Sequence, residues 1–154
     1  MSQPKGFDLS KLTTSSKILM GGGIAYLIVA FLPWQRACID AGPLGSVCAS
    51  SAGTSGVGII NILLDIALVA WEGMTLAGVE MSAPKGLVSA GLAGALLLFT
   101  ILKIVIDSES IYFFSWIGLI IGLVIAYGGW MAWQAHQASA GSSGGGAAPP
   151  PPSV

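Results

Sequence analysis

The chain has 154 residues, 54% of them hydrophobic and 8% charged, with a formal net charge of −1; its mean hydropathy is +0.82. That little charge cannot coat a water-soluble globule, and the near-neutral balance leaves no basic surface for nucleic acid. The composition specifies one compact membrane domain.

Residues 1–16 form a polar N-terminal segment, followed by four apolar stretches. A hydrocarbon core of about 30 Å takes roughly 20 apolar helical residues to cross, and fewer where polar flanks snorkel or the bilayer thins. The four stretches therefore predict membrane-spanning helices at 18–34, 57–77, 86–106 and 111–133, making 17–134 an all-α, four-transmembrane-helix bundle. The second span carries Asp65 near its middle and Glu72 beyond its apolar run, so a re-entrant or surface helix competes with a full crossing there.

Orientation follows from the basic residues. Lys5, Lys11 and Lys17 lie at or before the first span, Lys85 lies between the second and third, and only Arg36 falls in the first outer loop. The positive-inside rule then places both termini in the cytoplasm of a multi-pass cell-membrane protein. The first span ends in Phe31-Leu32-Pro33-Trp34 without a small-x-small site and stays as an anchor rather than a cleaved signal peptide.

Under this topology Cys38 and Cys48 share the outer loop around the turn-forming Gly42-Pro43-Leu44-Gly45. On an oxidising face two such thiols bond, so a structural disulfide closing a short outer loop is expected. Redox catalysis would need a Cys-x-x-Cys pair, and zinc is disfavoured because the sole histidine, His136, lies on the other side. No set of nucleophile, base, metal ligand or nucleotide loop stands out, and no enzyme activity or cofactor is expected.

Within the membrane, Asn61, Asp65 and Glu72 fall within about 40° on one helix face. Such residues face a bundle interior and often mark an ion or proton path; the favoured reading is that Asp65 is protonated, or hydrogen-bonded to Asn61 or a neighbouring Ser or Thr, as glue between helices. Lys103 lies shallower than Asp65 and one turn before Asp107, which favours a local Lys103–Asp107 pair over an interhelical one. Gly118, Gly122 and Gly129 form a small-residue stripe on the fourth span, matched by Gly86, Ala90 and Ala93 on the third. Close backbone approach over such stripes is the usual packing device in lipid, here between helices of one chain in preference to a second protein or copy. Phe31, Trp34 and Tyr112 to Trp116 read as an outer aromatic belt, and Trp71, Trp130 and Trp133 as an inner one. The Gly/Ser/Pro-rich tail, 135–154, reads as disordered.

Three of these features occur together elsewhere. Phe31-Leu32-Pro33-Trp34, the apolar run 62–66 around Asp65, and Gly128-Gly129-Trp130 resemble small four-span integral membrane proteins of high-G+C Gram-positive bacteria. The resemblance covers about residues 17–134, and the paired cysteines lie outside its pattern. It implies the topology and a bacterial envelope but no chemistry, since that family has no established activity. The expectation is a structural or accessory component of a cell-envelope complex, in contact with lipid and with a membrane-protein partner or second copy. The alternative is a small proton- or cation-coupled transporter using Asp65.

Overall fold

A computed structural model describes residues 12–79 and 82–142. It contains four helices, α1 (Thr14–Ala30), α2 (Gly58–Leu76), α3 (Lys85–Ile106) and α4 (Phe113–Ser142), and two strands, β1 (Pro33–Asp40) and β2 (Ser46–Ala52). α1 packs on α2 and α4, and α3 packs on the same two, so the helices close into a four-membered ring. Three of them, α2, α3 and α4, are long and apolar enough to cross a membrane; α1 has 17 residues, about 26 Å of helix.

The surface is inverted relative to a soluble protein. Ile28, Leu63, Leu98, Val105 and Ile120 are exposed, whereas Asn61, Asp65, Glu72, Ser89, Thr100 and Lys103 are buried. Apolar groups outside and polar groups inside are what a hydrocarbon solvent selects, because only the bundle interior offers hydrogen-bond partners there.

The structure corrects four expectations. The fold is not purely helical: the loop between the first two helices is an antiparallel two-stranded ribbon with Cys38 directly opposite Cys48, and the two are disulfide-bonded. The first helix occupies 14–30 rather than 18–34. The Thr13 side chain caps its start by accepting from the Ser16 N–H at 3.3 Å, satisfying a donor that the first turn otherwise leaves open. Pro33, which has no N–H to donate, then opens the strand. The fourth helix begins at Phe113 because Ile111 bridges Gln35 and the Tyr112 N–H donates to the Trp34 carbonyl at 2.8 Å. It continues through Ser142, so 135–142, expected to be disordered, are helical. There Ala132 and His136 lie so close to Gly86 that a Cβ at Gly86 would collide with both. The remainder of the tail and residues 1–11, including Lys5 and Lys11, fall outside the described residues.

The second helix is uninterrupted, Gly58–Leu76, against the predicted 57–77, and the third, Lys85–Ile106, matches 86–106 within one residue.

Candidate functional site

Trp34 is the fixed point of the hairpin end. Predicted for the aromatic belt, it is instead 1% exposed, with its indole between Gly53 and Gly118, either of which would strike the ring if it carried a Cβ. Trp34 Nε1 donates to the Val29 carbonyl at 2.8 Å, and the Trp34 carbonyl accepts from Ser115 Oγ at 2.6 Å. Tyr26 meets the ring edge-on, with centroids 6.0 Å apart. The ribbon's foot is thereby locked to α1 and α4. Gly118 belongs to this lock and not to a helix-on-helix stripe, a distinction that helical spacing cannot make. Gly122 and Gly129 do face α3, Gly122 toward Leu97 and Thr100 and Gly129 toward Ala93, Ala90 and Ser89.

Beside Trp34, Lys103 is 3% exposed. Its ammonium donates to the Ser55 carbonyl at 2.9 Å and to Asp107 Oδ2 at 3.1 Å. The expected Lys103–Asp107 pair is present. Its burial, and the backbone partner from the loop leading into α2, come only from the tertiary structure.

The α2 stripe also forms as expected: Asn61, Asp65 and Glu72 are 2%, 0% and 1% exposed. Their surroundings divide it in two. Glu72 Oε1 accepts from Ser89 Oγ at 2.5 Å, and Oε2 lies 4.0 Å from Lys85 Nζ. Asn61 and Asp65 have no hydrogen-bond partner on any side-chain N or O atom among the described residues. The expected glue has Asp65 either protonated or hydrogen-bonded to Asn61 or a nearby Ser or Thr; the structure puts Asn61 and Asp65 on one face with no hydrogen bond between them. Near Asp65, the Tyr26 and Thr100 hydroxyls bond at 2.7 Å across the bundle from α1 to α3, and Thr100 Oγ1 donates on to the Leu96 carbonyl at 2.8 Å. A Cβ at Gly23 would lie 3.0 Å from Asp65 Oδ1 and collide with Val69, so only glycine lets the α1 backbone come this near the carboxyl.

The polar residues thus fall into three levels. Lys103, Asp107 and the Ser55 carbonyl occupy the hairpin end, with Asn61 in the first turn of α2 just inside them; Asp65, Tyr26 and Thr100 come next; Glu72, Ser89, Lys85 and Ser16 occupy the α2–α3 loop end. Asp65 and Glu72 are seven positions apart on one helix, about 10 Å along its axis, with fully buried Leu68 between them. A cavity of about 220 Å³ at the loop end is lined by Ser16, Glu72, Lys85, Gly86 and His136, among others. Sequence reasoning missed Tyr26, Thr100 and Ser89. Hydroxyls in apolar helices were the available signal, but their partners lie 17 to 74 positions away.

Among the described residues no cluster of three or more His, Cys, Asp or Glu could hold a metal ion. The fold and these residues define a class: a helical bundle with an apolar exterior, a polar interior column and a disulfide-stapled ribbon at one end. No family model, curated protein or solved structure matches the chain.

Proposed function

We propose that this is an integral membrane protein without catalytic chemistry, serving as an accessory component of a cell-envelope complex. It crosses the membrane four times, with both termini cytoplasmic and the β1–β2 ribbon on the outer face. A disulfide belongs on an oxidising side, and Lys17 and Lys85 lie toward the opposite end of the bundle, where the positive-inside rule wants them. The 17-residue α1 crosses by local thinning of the bilayer, a modest cost per ångström of mismatch.

The observation that carries the reading is the ribbon. It is fastened to the bundle through Trp34, stapled at Cys38–Cys48, and beyond that staple Ile39 and Val47 form an opposed, solvent-exposed pair, 70% and 59% accessible. A rigid element that presents apolar side chains outside the bundle is suited to contact with another envelope protein. A photo-crosslinking residue at Val47, used in native membranes, is expected to capture one discrete partner in stoichiometric yield, and Ile39→Ser is expected to abolish it. Crosslinks spread over many abundant proteins would remove the accessory role.

The bare Asp65 carboxyl keeps cation-coupled transport as a second reading. Liposome flux tests it: wild-type protein moving no common cation, with or without a pH gradient, would eliminate transport. Flux unchanged in Asp65→Asn would dismiss that residue's part in it.

A further inference from the structure

Asp65 presents a problem of charge. Its carboxyl is fully buried at mid-bundle, neither oxygen has a hydrogen-bond partner, and no Lys, Arg or His lies within ion-pair distance among the described residues. One turn away, the Asn61 amide is equally bare. A carboxylate in such surroundings is strongly disfavoured unless something neutralises it. A Cβ at Gly23 would already touch Oδ1, and no other side-chain oxygen bonds the carboxyl, whereas a metal cation of the alkali or alkaline-earth kind needs about six oxygen ligands around it. A proton needs no such room.

We propose that Asn61 and Asp65 form an intramembrane proton-binding site that exchanges with water only at the α2–α3 loop end, by way of Glu72. The asymmetry comes from what stands on either side of the pair. Toward the loop end, the buried Glu72 carboxyl lines the 220 Å³ cavity with Lys85 and His136, and Leu68 and Val69 are the inward-turned apolar residues between Glu72 and Asp65 on the same helix. Toward the hairpin end stands the Lys103 ammonium, held by Asp107 and the Ser55 carbonyl next to the Trp34 lock. The groups packed there leave a void of only about 10 Å³, at or below what one water molecule needs, so no water file reaches the pair from that end.

The ionisable groups around the site and its route, element by element, are Tyr26 from α1, Lys103 and Lys85 from α3, His136 from α4 in the loop-end cavity, and Glu72 on α2 itself. Tyr26 is engaged with Thr100, Lys103 with Asp107, and Lys85 lies by Glu72 at the loop end. Glu72 has Ser89 on Oε1 and Lys85 at 4.0 Å from Oε2, so Asp65 is the carboxyl with neither a bond nor a cation beside it; Asn61 offers its acid form both an acceptor and a donor. The proposal needs the chain to span the bilayer but is independent of any accessory role.

Dicyclohexylcarbodiimide provides the test, because it is lipid-soluble and adds to protonated carboxyl groups. Full-length protein is reconstituted in phosphatidylcholine vesicles, sorted by orientation through a C-terminal tag at the loop end, and adducts are located by mass spectrometry. The expected result is one carbodiimide added at Asp65. Its rate should fall about tenfold per unit once the pH on the loop side exceeds the midpoint, and should not respond to pH on the hairpin side. Glu72→Gln should slow the response to a pH jump while leaving the final extent of labelling unchanged. Labelling that ignores pH on both sides, or follows the hairpin side, would overturn the proposal, as would protection by sodium or potassium at constant pH. Hairpin and tag accessible from one face would remove the spanning reading and the proposal together.

Discussion

Lys103 and Asp65 are both ionisable and both buried in the same bundle, yet their surroundings differ completely. Lys103 sits at the end of α3 with a carboxylate one turn away and a loop carbonyl in reach, so its charge is compensated within the chain. Asp65 sits at mid-depth on α2 with neither oxygen bonded. Interface and interior account for the contrast. At a helix end, loops, backbone carbonyls and water can all supply partners, whereas mid-bundle a partner must come from a facing helix, and here the facing hydroxyls of Tyr26 and Thr100 are bonded to each other. The hairpin end is built for rigidity; the middle is left with unspent hydrogen-bonding capacity.

The sharpest way to break this comparison is to remove the anchor of the rigid end. Trp34→Ala deletes a buried aromatic side chain and should cost about 3–5 kcal/mol of unfolding free energy in mixed micelles. The ribbon should also become susceptible to protease. If stability hardly changed, the claim that Trp34 locks ribbon to bundle would fail. Next, Cys38→Ser should lower stability by about 2–3 kcal/mol under non-reducing conditions, through the lost restriction on the unfolded chain. The same protein should show a free thiol at Cys48 on alkylation, and wild-type protein should show none.

Smaller effects test the two charges directly. Lys103→Met strands the Ser55 carbonyl and leaves Asp107 without its cation, but Asp107 remains 28% exposed and hydrated, so about 1–2 kcal/mol is expected. Asp65→Asn removes no bond and no ion pair within the described structure, and should change stability by under about 1 kcal/mol. The order matters more than either value: a larger loss for Asp65→Asn than for Lys103→Met would show that Asp65 has a partner after all and would reverse the contrast.

The sequence by itself determined the extents of α2 and α3, the Cys38–Cys48 bond, the Lys103–Asp107 pair and the common face of Asn61, Asp65 and Glu72. Each follows from local rules: apolar run length, two thiols flanking one turn, a four-residue helical spacing, and the 100° step of a helix. Only the tertiary structure decided that Trp34 leaves the belt for the core, that Gly118 receives its ring, and that α4 runs past Trp133 beside Gly86. It alone also decided that Ser89 partners Glu72 while Asp65 has nothing. Those outcomes depend on which side chain from a distant segment arrives at the same depth. One chain's periodicity can say that a residue faces inward, but what it meets there is set by the register of neighbouring helices, and at mid-bundle no water makes up for a missing partner.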